Sequence, residues 1–176
     1  MPMHSKDVVI AALNRNQSVL AMTLDGMTPE QMAFRPDETS NSLAWLAWHL
    51  TRVQDRETCG LSGQEQAWIA DGWHAKFGKA ADANETGMGY TPDQVTASET
   101  STQLILDYHE AVVDRSKAYL EPLTHEDLAK ELDEPQWDPV PTVGIRLVSI
   151  LSDNTQHIGQ MAYVRGIIEG KKWYPS

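Results

Sequence analysis

Cysteine is nearly missing from this chain. Cys59 stands alone, which excludes an internal disulfide, a thiolate metal cluster and a Cys-x-x-Cys redox pair. Basic residues are scarce as well: 14 Lys and Arg face 25 Asp and Glu, a formal net charge of −11. No basic run exceeds Lys171-Lys172, and so acidic a surface repels phosphate backbones, which argues against nucleic acid as a partner. Long apolar runs are absent too. Nothing approaches the roughly 20 residues of a membrane span, and the first residues, Met1 to Asp7, lack the apolar core of a secretory signal. The expected location is the cytoplasm, with no membrane partner. No stretch alternates with period two over a useful length, and neither a repeat nor a second domain is visible. Residues 1–176 therefore read as one all-α domain.

What is present is helical periodicity. Hydrophobic residues make up 41% of the 176 positions and charged ones 22%, enough to bury a substantial core. Ser5 is a plausible cap for a first helix ending near Asp25-Gly26, and Thr28-Pro29 opens a short one. Ser40 or Asn41 caps a second long helix that carries Leu43, Leu46, Leu50 and Val53 inward and stops at Gly60. His49 sits at the edge of that inner face. Thr91-Pro92 opens a third helix through Tyr119, and Thr124 starts a short turn. Thr142 then caps a last helix ending at Gly170, with an apolar stripe at Val143, Leu147, Ile150, Ile158, Met161, Val164 and Ile168. Four long helices with two elaborated connections predict a bundle. The connection from residue 60 to about 90 holds Gly60, Gly63, Gly72, Gly78, Gly87 and Gly89 together with Trp68, Trp73 and Phe77. It carries too many aromatics for a passive linker and reads as functional or as a lid. Six Trp point to a thick core or an aromatic-lined pocket.

At about 100° per residue, His157 falls inside the last helix's stripe and Asp153 at its margin, one turn apart. Polar groups directed at a core require partners. His49, Asp153 and His157 together offer two nitrogens and a carboxylate, the donor set of an open catalytic zinc site, and equally of iron(II) or nickel. The other reading is an Asp153–His157 hydrogen bond with His49 satisfied separately. Cys59 reads as structural. Arg52, Asp55, Gln156, Gln160 and Arg165 are polar candidates for substrate or ligand-orienting contacts, or else for salt bridges on a solvated face. Trp45, Trp48, Trp68 and Trp73 could wall a pocket or pack the core, and His74 could reach a pocket mouth.

Three segments add a resemblance. Asn41 through His49 to Asp55, Asp71-Gly-Trp73 through Gly78, and Val143 through His157 to Gly166 resemble the second helix, a following segment and the last helix of the DinB-like family. The likeness spans roughly residues 5 to 170. It implies an up-down-down-up four-helix bundle, often a homodimer, with an elaborated loop after the second helix. It also implies a divalent metal, zinc first and nickel or iron next, held by His49, Asp153 and His157. Many members have histidine where Asp153 stands, whereas the related mycothiol-dependent maleylpyruvate isomerases have glutamate. Relatives of this kind, among them bacillithiol S-transferases, transfer or isomerise small electrophiles using a low-molecular-weight thiol. The resemblance thus implies a metal-dependent thiol S-transferase or isomerase with a small-molecule substrate, for which Arg52, Gln160 and Arg165, by their places after His49 and His157 on the two helices, are the catalytic candidates. The alternatives are a metal-binding stress or detoxification protein without turnover, or a metal-free small-molecule binding module.

Overall fold

Capping chemistry sets most helix boundaries. The structure, a computed structural model, describes residues 3–98 and 100–172, so both ends of the expected 1–176 domain lie outside the described residues. The chain forms α1 (Ser5–Leu24), α2 (Pro29–Ala33), α3 (Leu43–Ser62), α4 (Ala67–Ala70), α5 (Trp73–Lys76), α6 (Pro92–Thr96), α7 (Thr102–Leu120), α8 (His125–Leu128) and α9 (Val143–Glu169). Thr28, Thr91 and Thr124 each accept the N–H of the third helical residue, whose side chain returns to the cap's own N–H. Such caps stabilise by about 1 kcal/mol each. Thr142 caps α9, and Gly170 ends it at φ +65°, the left-handed conformation that glycine adopts without steric cost.

Elsewhere the boundaries move. The caps of α1 and α3 are His4 and Ser42, rather than Ser5 and Ser40 or Asn41. α3 continues through Gly60, where an added Cβ would meet open space, and stops only at Gly63, whose N–H bonds Cys59 O. The helix expected from Thr91 to Tyr119 is two helices. Thr96 Oγ1 and Ser98 Oγ bond back to Pro92 O and Gln94 O, offering the backbone a local end, and Ser101 then caps α7 afresh.

The four long helices pack as α1 and α3 each against α7 and α9. Their directions follow from cross-helix bonds. Asn16 meets Thr155, and Arg165 meets Met22 to Asp25, so α1 and α9 run parallel. Thr51 meets His109 and Thr58 meets Ser116, so α3 and α7 are parallel. Gln54 meets Asn154 while Glu57 meets Arg146, so α3 and α9 are antiparallel. That is the up-down-down-up order. No helix among the described residues is long and apolar enough to cross a membrane.

The core has an apolar group at each end. Leu20, Leu24, Leu43, Leu50, Ile158 and Met161 fill one, and Leu13, Leu120, Leu147 and Ile150 the other. Between Ile150 and Ile158 the stripe of α9 is interrupted by fully buried Asn154, whose amide donates to Gln54 Oε1 at 2.6 Å. α3 is not buried on one face only: every residue from Leu43 to Arg52 is buried. Its outer side is covered by the segment after it together with α7, through a second cluster that joins Trp48 to Trp68 and Trp73 of the segment and to Tyr108 and Val112 of α7. Val53, expected on the inner face, is only half-buried.

Candidate metal centre

Three donors meet where α3 crosses α9. His49 is 2% exposed and lies flat on Trp45, ring centroids 4.5 Å apart and planes within 8°. Its Nδ1 is 2.6 Å from Thr86 O. A carbonyl only accepts, so Nδ1 carries the proton and Nε2 keeps a free lone pair. His157 repeats the device: its Nδ1 is 2.8 Å from Gln160 Oε1, and its Nε2 lies 3.5 Å from Asp153 Oδ1. The two imidazoles stand nearly perpendicular at 5.0 Å, and Trp45 meets the edge of His157 at 6.4 Å.

One ligand atom from each of His49, Asp153 and His157 lies within 4.8 Å of the others. Asp153 Oδ2 is buried and has no hydrogen-bond partner among the described residues. An orphaned buried carboxylate oxygen is costly unless a positive charge neutralises it. The donor set therefore fits a divalent ion, with both histidines oriented through their other nitrogen, as metal-ligating imidazoles commonly are. Burial pushes the His49 pKa down, ahead of the opposing pull of the Thr86 carbonyl and Asp153, which favours the neutral ring that ligates. For His157 burial acts in the same direction, but the bonds to Asp153 and Gln160 together outweigh it and the pKa is raised.

The segment from residue 63 to 91 supplies a piece that the sequence did not disclose, the Thr86 carbonyl. It reaches His49 because Gly87 turns at φ +81°, where a Cβ would sit 2.7 Å from Trp48 Cζ3 and 2.8 Å from Trp45 Nε1. Only glycine fits there. The signal was faint: one glycine among many in that connection.

Arg52 anchors the same segment. Its side chain is fully buried, and its Nε and two terminal nitrogens donate to Glu85 O, Ala83 O, Gln66 Oε1, Tyr108 Oη and Asp55 Oδ2. Five donors meet five acceptors, so none is left for a substrate. Asp55 accepts from Ala67 N, Trp68 N and Tyr108 Oη besides Arg52, tying α4 to α3. Cys59, with its thiol pushed up to about 12 by burial and then by Asp55, belongs to this scaffold. Arg165 lies away from the donors: it caps α1 through the carbonyls of Met22, Thr23 and Asp25 and pairs with Glu169, the placement favoured by a helix C-terminus. Gln160 touches His157 and is a positioning residue. Gln156 bonds Ser152, and His74 meets the edge of Trp68, apart from the donors. Of the tryptophans, Trp45 walls the site, while Trp48, Trp68 and Trp73 pack together.

Comparison with known proteins covers nearly the whole chain. The profile of the mycothiol-S-transferase family matches residues 8–170. A crystal structure of a conserved protein from Enterococcus faecalis is similar, with 30% sequence identity and a TM-score of 0.87 over 97% of this chain and 100% of that one. No protein of curated function matches.

Proposed function

The chain belongs to the mycothiol-S-transferase family, and from that premise we propose that it is a divalent-metal-dependent thiol S-transferase acting on a small electrophile. The carrying observation is the donor set itself: two imidazoles whose Nδ1 atoms are already engaged, beside a carboxylate with one orphaned buried oxygen. His49, Asp153 and His157 would hold the ion, a donor set that suits zinc, nickel and iron(II) alike. Bound there, a divalent cation supplies the positive charge that lowers a thiol's pKa, so that a low-molecular-weight thiol of the mycothiol or bacillithiol kind is present as thiolate at neutral pH. The chain's own residues orient and shield. Thr86 and Gln160 fix the tautomers of the two histidines, and Trp45 keeps water from the His49 face. The only cysteine is buried and its pKa is raised, so the nucleophilic sulfur comes from the cosubstrate.

The metal-free alternative, an Asp153–His157 pair alone, leaves the buried Asp153 Oδ2 without a partner among the described residues and is disfavoured for that reason. The same reading places the protein in the cytoplasm as a homodimer. Among the exposed residues of α9, from Ile145 and Val148 to Tyr163 and Ile167, none is charged, and on a chain of net charge −11 such a face is where two copies can approach with least repulsion.

Elemental mass spectrometry on tag-free wild type, His49→Ala and His157→Ala tests the site. Near one equivalent of metal is expected in wild type and a trace in both variants. A thiol-consumption assay against small electrophiles then tests turnover. If neither chelation nor His49→Ala slows turnover, the mechanism is wrong.

A further inference from the structure

Trp48, the residue before His49, lines a second and separate space. A cavity of about 100 Å³ is bounded by Trp48, Phe77, Lys79, Ser98 and Thr100 among others. The volume is decisive. At about 30 Å³ per water it holds only three or four heavy atoms, too few for a nucleotide or a whole thiol cosubstrate. Its polar groups are mostly donors. The Lys79 ammonium makes no ion pair among the described residues; it donates to Tyr90 Oη at 3.1 Å and lies 4.6 Å from the Trp48 ring centre. The Thr100 hydroxyl oxygen and the Trp48 indole nitrogen are both buried without hydrogen-bond partners among the described residues. The Ser98 hydroxyl is already given to Gln94 O. Among the described residues no carboxylate lines the space. Glu85, which acts on Lys79 through its charge, receives the Gly87 N–H on Oε1 at 2.8 Å and lies outside the lining.

We infer that this cavity binds a compact carboxylate, with the Lys79 ammonium as counter-charge and the Thr100 hydroxyl and Trp48 N–H as donors. The flat faces of Trp48 and Phe77 suit a planar group. Among the described residues the half-buried ammonium has the neutral Tyr90 hydroxyl as hydrogen-bond partner and the charge of Glu85 outside the cavity, so an anion in the cavity adds a direct counter-charge; burial lowers the Lys79 pKa ahead of the opposing pull of Glu85. The carboxylate is either a free small acid or the end group of a longer molecule. The inference does not depend on the metal or on thiol transfer.

The test is therefore made on metal-free protein. Indole N–H resonances of ¹⁵N-labelled wild type are followed during titration with sodium acetate at constant ionic strength, Trp48 being assigned from Trp48→Phe. A saturable shift confined to the Trp48 signal is expected. Lys79→Gln should weaken acetate binding roughly tenfold or more, as expected for losing a charge-assisted bond. Thr100→Val, which leaves the charge in place, should weaken it by roughly fivefold, as for a neutral one. Repetition with N-acetylglycine separates the sources: saturation by both acids identifies an end-group site, and by acetate alone a free small acid. A linear, non-saturating shift, or unchanged affinity in folded Lys79→Gln, overturns the inference.

Discussion

Two buried polar clusters lie one turn apart along α3, and they differ in how completely their atoms are matched. In the first, Arg52, Asp55 and Tyr108 satisfy one another together with backbone groups of residues 67, 68, 83 and 85. In the second, His49, Asp153 and His157 converge but leave Asp153 Oδ2 without a partner. Both consist of residue types that look functional in a sequence. A saturated network rigidifies a fold, whereas one with converging, unmatched acceptors is prepared for something positively charged. Between these two charged clusters, the difference is an unmatched carboxylate oxygen rather than the presence of charge.

The sharpest way to break that contrast is at Asp55. Asp55→Ala strands the Arg52 guanidinium in the core and should lower unfolding free energy by about 3–5 kcal/mol. Urea denaturation measures it, and a loss under 1 kcal/mol would remove the scaffold role. His109, also buried but in neither cluster, gives the next effect. Burial lowers its pKa from 6.5 to about 4, so the unfolded chain binds a proton between those values that the folded chain refuses. Stability should fall as pH drops through that window and level off below it, by about 3 kcal/mol in total. His109→Phe should flatten this part of the profile, and parallel wild-type and variant curves would refute the assignment.

Gly87 connects the two clusters, since the backbone that Arg52 anchors at residue 85 delivers the Thr86 carbonyl to His49. Gly87→Ala should cost about 2 kcal/mol, from positive φ and from contact with two indoles. It should also weaken metal affinity roughly tenfold, as outer-sphere changes do, read by competition with a chelator. Smallest of all is the stability effect at the unmatched cluster. Asp153→Asn should change the unfolding free energy of the metal-free protein by less than about 1 kcal/mol while abolishing stoichiometric metal uptake. Strong destabilisation of the metal-free protein would place Asp153 with the scaffold after all.

Much of this was legible beforehand, and the exceptions share a cause. The α9 stripe, its Thr142 cap and its Gly170 end follow from local periodicity and turn chemistry. So do the threonine caps at residues 28, 91 and 124. His49, Asp153 and His157 could be grouped because two are one turn apart and the third lies at the edge of the inner face of α3, and the resemblance then singled out the same three. Arg52 was read as a candidate for catalysis because a sequence shows a charge but not its acceptors, four of which come from outside α3. The Thr86 carbonyl had no side-chain signature at all. Asn154 did leave a trace: the apolar stripe skips the position between Ile150 and Ile158, and a polar residue in such a gap has a buried partner. Gly60 misled because glycine ends a helix only where the chain needs a left-handed residue, and that need arose three residues later.

The parallel pairing of α1 with α9 has a consequence in time. A ribosome adds about 5–20 residues per second, so His157 is made some 5–20 s after His49, when about 100 further residues have been joined. Until then α1, α3 and α7 lack their fourth wall, and His49 has neither of its α9 neighbours. The three donors can therefore converge only once α9 has been made. A chain that stops before His157 lacks one of the three proposed donors.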